Sequence, residues 1–292
     1  MSGAVFSIVP SGPFSLRALA TFGFGQRSEP EYDGIMRMSF CLDGYRHQVG
    51  VEVTQDDGAV NVRIAGDADV EAVKRQVARV LSLDHDGDAF LEIGKRDPVI
   101  GRLQEIAPGL RPPQFYSPYE AAAWAIISAR RPAAQMDKVR RALSERFGKT
   151  FELAGRSTPA LPTPEQLLGV GEFPGLNPQK IERLHGVARA ALDGLLDVGK
   201  LTAVDPDAAM KDLQSIPGIG PFYSALIVIR ACGPADVLPE NEPQALDLTA
   251  QLYGLSRAPN QTEFRALAEQ WKPFRTWAVV LIRAAGPRLL ET

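Results

Sequence analysis

Four places in the chain pair a capping side chain with a proline: Ser117-Pro118, Thr163-Pro164, Asn177-Pro178 and Asp205-Pro206. The first residue of each pair can accept from a free N–H of a first helical turn. The proline brings a preset φ and lacks only an N–H that would have no partner there. Glu120 and Gln166 complete capping-box patterns, and Asn260 with Glu263 repeats the pattern without proline. From residue 117 onward such a chain is set up for short helices, about eight or nine by this count. Connections such as Ala107-Pro-Gly-Leu-Arg-Pro-Pro113 separate them.

The first third follows a different period. Val49, Val51 and Val53 alternate with other residues, as do Val60, Val62 and Ile64, and Asp56-Asp57-Gly58 lies between the runs. That is the pattern of two half-buried strands joined by a hairpin. Ile35 to Leu42 is a further strand. Val70, Val73, Val77, Val80 and Leu81 form a helical stripe. The expected fold class is therefore α+β: a small N-terminal antiparallel sheet with a helix (1–110), then two all-α subdomains (111–292).

Composition narrows the function classes. Residues 1–95 carry 9 Lys+Arg and 14 Asp+Glu, while the whole chain carries 32 and 35, so the remainder is slightly basic. Contact with a polyanion would need a local patch or backbone dipoles, because bulk charge does not supply it. Cys41 and Cys232 are the only cysteines, too few for a thiolate metal site or a disulfide framework. Three histidines without pairing exclude a histidine-built metal centre. Asp84-His-Asp-Gly-Asp88 has its glycine misplaced for a calcium loop. Met1–Pro10 lacks the basic and apolar regions of a signal peptide, and no apolar run reaches bilayer length. A cytoplasmic location without a membrane partner is the expectation.

The informative segment is Leu213-Gln-Ser-Ile-Pro-Gly-Ile-Gly220, followed by an apolar helix from Phe222 to Ile229. Two glycines permit a sharp turn and a close backbone approach. The helix that follows presents free N–H groups, a phosphate site that needs few lysines. This hairpin, at about 210–230, resembles that of the helix-hairpin-helix DNA glycosylases. Pro108-Gly-Leu-Arg111, Tyr119–Ile127, Gly175-Leu-Asn-Pro-Gln-Lys180 and Trp271-Lys-Pro-Phe-Arg-Thr-Trp277 follow the order of bacterial 3-methyladenine DNA glycosylase II enzymes.

The resemblance implies a monomeric, monofunctional glycosylase that removes alkylated purines from double-stranded DNA in base-excision repair. It implies no required cofactor, with a monovalent cation at the hairpin as the one candidate ion. Pro217, Gly218, Ile219 and Gly220 would bind DNA. Phe222 stands where bifunctional relatives have a nucleophilic Lys, so no lyase step is expected. With Phe222, Trp124 and Arg283 would line the base pocket, Arg283 standing in place of a stacking Trp; Trp124 and Trp277 also read as core. Arg130 and Arg131, near the family's plugging pair, would fill the gap left by the base or clamp phosphates.

The catalytic carboxylate falls in Asp236-Val-Leu-Pro-Glu-Asn-Glu-Pro243. Spacing from Pro239 lands on Asn241, which lacks the charge; spacing from Gly220 lands on Glu242. Glu242 is preferred, with Glu240 second, and a capping or solvated role is the competing reading for both. The departures at Asn241, Arg283 and Ala129 keep open a protein that binds distorted DNA with weak or no catalysis. A helical interaction module without nucleic acid is a third reading.

Overall fold

The computed structural model describes residues 3–22 and 32–291. Met1 and Ser2 of the Met1–Pro10 stretch lie outside the described residues. The N-terminal unit holds β1 (Val5–Ile8), α1 (Leu16–Phe22), β2 (Met36–Cys41), β3 (Gln48–Asp56), β4 (Ala59–Ala65) and α2 (Val70–Val80). The sheet is antiparallel in the order β1-β4-β3-β2. The β3–β4 turn has Asp57 at φ 47° and Gly58 at φ 80°, the two left-handed residues of a tight hairpin matched to strand twist. Val51, Val53, Val62 and Ile64 are fully buried with Val73 and Val77 of α2 in one core.

Three helices lead toward the middle of the chain: α3 (Gly87–Arg96), α4 (Pro98–Ile106) and α5 (Pro118–Ser128). Asp86 caps α3 through the N–H groups of Asp88 and Ala89, so the acidic 84–88 segment starts a helix. After α5 come α6 (Ala133–Phe147), β5 (Thr150–Leu153), β6 (Arg156–Pro159), α7 (Pro164–Leu168), α8 (Pro178–Leu192), α9 (Val198–Thr202), α10 (Pro206–Leu213) and α11 (Pro221–Ala231). The last helices are α12 (Pro243–Leu252), α13 (Gln261–Ala268) and α14 (Arg275–Leu290). Among the described residues, α5 to α14 make ten α-helices where about eight or nine were expected. The caps at Ser117, Thr163, Asn177, Asp205 and Asn260 all accept from the first turn, and Thr163 and Asn260 close full capping boxes.

The helices sort into two cores. One combines α5–α11; the other combines α12–α14 with α3 and α4. Helices α3 and α4 precede residue 110 and pack with the last helices: Phe90, Ile93, Ile100 and Leu103 lie among Leu248, Trp271 and Trp277. Amphipathic helices show which face is buried, but not which partner covers it. Truncating Trp271 or Trp277, both essentially unexposed, would cost about 3–5 kcal/mol.

One side chain joins these layers. Arg111, 1% exposed, donates to the carbonyls of Pro13 (3.1 Å), Ser82 (3.0 Å), His85 (3.2 Å) and Gly12 (3.3 Å), and also to that of Ser11. Its guanidinium lies 5.5 Å from the Trp277 ring centroid. Burial pulls its pKa below the usual arginine value. No helix among the described residues is long and apolar enough to cross a membrane.

Candidate nucleic-acid interface and active site

Helix α10 and α11 pack as a hairpin whose turn is folded by its own apolar residues. Leu213, Ile216 and Ile219 are buried in the α5–α11 core, and Ile219 N–H donates to the Ile216 carbonyl at 3.0 Å. Ile219 therefore contributes its backbone rather than its side chain to any ligand surface, while Pro217 is exposed. The two glycines differ. Gly218 has φ +95°, and a Cβ there would stand 2.8 Å from Ile126 Cδ1 and 2.9 Å from Arg183 Cδ. Gly220 is the N-cap of α11 at φ −95° and ψ −174°, offers no side-chain cap and has nothing within 4 Å of a Cβ position. The first helical bond is Ser224 N–H to Gly220 C=O at 2.9 Å, so the Phe222 and Tyr223 N–H groups precede the ladder. Gly218 thus fits the turn against the protein, and Gly220 leaves the helix end open. Phe222 beside it is 62% exposed, its ring 5.3 Å from that of Tyr223.

The end of α5 lies against this hairpin through Ile126. Lys180 on α8 donates from Nζ to the carbonyls of Ile127 (2.5 Å) and Ala129 (3.1 Å), tying down the chain just before Arg130. Arg130 adopts φ +58°, and Arg130 and Arg131 are both exposed. Partial burial, with Arg131 and Arg183 nearby, lowers the Lys180 pKa from its usual value. Lys180 positions the loop that carries the two arginines. Its sequence signal was its place in the Gly175–Lys180 segment, which reveals no partner.

In the segment between α11 and α12 every acidic side chain has a partner. Asp236 holds Arg275 at 2.8 and 3.1 Å. Glu240 holds Arg265 at 2.6 and 2.5 Å. Asn241 Oδ1 accepts from Gln261 at 2.5 Å, and this side chain is exposed. Glu242 is the N-cap of α12: one oxygen accepts from Ala245 N–H at 2.6 Å, and the other accepts from Arg283 Nη1 on α14. The pair is partly open, 30% exposed at Glu242 and 33% at Arg283. Arg283 Nε is buried with no hydrogen-bond partner. Glu242 is thus a fixed carboxylate on the C-terminal helical core, while the hairpin belongs to the other core.

No family model matches this chain. A DNA-3-methyladenine glycosylase of Bacillus subtilis is 24% identical over 216 residues, 71% of this chain and 70% of that one. DNA-3-methyladenine glycosylase 2 of Escherichia coli is 28% identical over 187 residues, 63% of each chain. The solved 3-methyladenine DNA-glycosylase from Archaeoglobus fulgidus superposes with a TM-score of 0.77 at 20% identity, covering 97% of this chain and 99% of that one. The fold is that of the helix-hairpin-helix DNA glycosylases.

Within that fold the expected residues divide. Glu242 and Arg283, from α12 and α14, come together in one pair, a contact for which sequence spacing gives no sign. Glu240 points to a different helix through Arg265. Trp124, expected in the base pocket, is 7% exposed in the α5–α11 core. The reason is local: every residue of α5 from Pro118 to Ile127 is buried, so this helix has no free face. Trp277 is core, and His185 is structural through the Val170 carbonyl at 2.9 Å. Among the described residues no group of three or more His, Cys, Asp or Glu side chains is placed to hold a metal.

Proposed function

We propose that this chain is a monofunctional DNA N-glycosylase of base-excision repair, working as a monomer in the cytoplasm on duplex DNA with a damaged purine. Alkylated purines are the first class to test, since the two bacterial relatives carry 3-methyladenine in their names. The observation that carries the reading is Glu242, a carboxylate fixed by a backbone N–H at a helix start yet still partly open to solvent.

Duplex stacking shields the C1′–N9 bond, so the nucleotide must be turned out before reaction. Gly220 and the first N–H groups of α11 would hold a phosphate, with Arg130 and Arg131 supporting the strand or the vacated stack. Backbone carbonyls of the 214–220 turn would be the groups to hold a monovalent cation, which would supply positive charge for phosphate binding. The C1′–N9 bond then breaks with its electron pair leaving on the purine. Glu242 stabilises the positive charge that develops on the sugar, and a fixed charge needs no reorganisation at that moment. A water oxygen forms the new bond to C1′ and its proton passes to solvent. A cationic alkylated purine leaves neutral and takes no proton, whereas an uncharged purine leaves as an anion and takes one from solvent.

Single-turnover base release from duplexes carrying 3-methyladenine, 7-methylguanine, hypoxanthine or uracil tests the proposal. Release of at least one damaged purine above the spontaneous rate supports it. The second reading, binding of distorted DNA without cleavage, is favoured by Asn241 and by the ion pairing of every nearby acid. Tight binding of an abasic-site duplex with no release of any base would select it.

A further inference from the structure

We infer that Arg283 sets the charge class of the departing base, directing the site to uncharged purine lesions ahead of cationic N3- or N7-methylated ones. This rests on the glycosylase reading above and changes its order of substrates, moving uncharged damaged purines ahead of the methylated ones tested first there. The observation is a mismatch of donors and acceptors. Arg283 gives Nη1 to Glu242, while Nε is buried without any acceptor and the side chain stays one-third exposed. A guanidinium has five N–H donors and accepts nothing. The buried Nε lies out of a ligand's reach, and its unmet donor is a cost of holding the side chain here. The donors open to an incoming acceptor are the remaining Nη N–H groups on the exposed third of the side chain.

The chemistry of the leaving base makes the consequence directional. A purine methylated at N3 or N7 is already cationic in the nucleotide and leaves neutral, so positive charge beside it disfavours binding. The relief of that repulsion during departure only returns what binding lost, with no net gain measured from free protein and DNA at sub-saturating concentrations. An uncharged purine such as hypoxanthine, or adenine carrying an etheno bridge, leaves with the C1′–N9 electron pair as an anion. Donors on Arg283 would then meet ring-nitrogen or keto acceptors whose basicity grows as the bond breaks. That is charge-assisted hydrogen bonding realised mainly in the transition state. The pair divides the work: Glu242 faces the charge developing on the sugar, and Arg283 faces the charge developing on the base. Pairing also keeps Arg283 extended from α14 toward the start of α12, which Asn241 could not do with a neutral amide.

The test is the ratio of single-turnover release of hypoxanthine to that of 7-methylguanine, each divided by its spontaneous rate, for the parent, Arg283→Gln and Arg283→Lys. The parent should favour hypoxanthine. Arg283→Gln should lower that ratio about 10- to 100-fold, and Arg283→Lys should restore part of it. A merely structural role for Arg283 would slow both bases alike and leave the ratio unchanged, which overturns the inference. So does a parent that prefers 7-methylguanine, a result that needs no variant to fold. A parent that releases no base at all overturns the glycosylase reading itself, and binding to an abasic-site duplex separates that failure from misfolding.

Discussion

The hairpin and the 236–243 segment are both short connections beside α11, and they work by opposite means. The hairpin acts through backbone. Its apolar residues turn inward, Gly218 is left-handed against Ile126 and Arg183, and Gly220 leaves the first turn of α11 open. The 236–243 segment acts through side chains, and each is held by a partner from a helix far away in sequence: Arg275, Arg265, Gln261 and Arg283. In the proposed reading, backbone recognition tolerates an acidic protein and is blind to the base, while the side chains would carry the chemistry and depend on which charge faces which.

The sharpest break of that contrast is Glu242→Gln. It keeps size and the capping acceptor but removes the charge, and should lower single-turnover base release by about 100- to 1,000-fold. Affinity for an abasic-site duplex should change little. Equal rates for the two proteins would end the assignment. Salt gives the next largest effect. A few phosphates held mainly by the hairpin give a log–log slope of about −2 to −4, or a loss of roughly 16- to 250-fold between 50 and 200 mM. A flat titration would remove DNA as the ligand.

The two glycines then separate fold from function. Gly218→Ala puts a Cβ at a left-handed position against Ile126, and should cost about 2 kcal/mol, lowering Tm by roughly 3 °C. Gly220→Val should leave Tm in place and weaken duplex binding about tenfold, whatever base is present, because phosphate contacts position rather than specify. Identical thermal and binding effects at the two sites would show that the hairpin makes no such division. Smallest is Glu240→Gln, which breaks a surface pair with Arg265 and should change base release less than threefold. Asn241→Asp should be equally mild if Glu242 carries the charge; a large gain would move the catalytic position to 241.

Local chemistry made much of this fold legible. The caps at residues 117, 163, 177, 205 and 260 are written in the residues they use, and the β3–β4 hairpin is written in Asp57-Gly58. The hairpin at 213–220 was readable from its glycines together with the resemblance they carry, and of the two only Gly218, at φ +95°, requires a glycine backbone. The β5–β6 ribbon escaped because its strands are four residues long, too short for alternation to stand out. The partners of Glu240 and Glu242 escaped for another reason. Arg265 and Arg283 lie 25 and 41 residues away, on helices whose packing is decided by apolar faces. Trp124 carries both readings in sequence, base pocket and core, because an aromatic next to a ligand cleft and an aromatic in a fully buried helix look alike in one dimension.

The position of Arg111 has a consequence for how the molecule comes apart. Its guanidinium is neutralised by no carboxylate in hydrogen-bond contact; it rests on carbonyls from 11–13 and from the 82–85 connection, and on the face of Trp277 from the last helix. Deleting the sheet unit to obtain a minimal enzyme would remove the carbonyls at 11–13 and open the guanidinium to water, so the helical remainder would lose the contacts that tie it to that layer. Heat should dismantle sheet and helices in a single calorimetric event, with van't Hoff and calorimetric enthalpies in agreement.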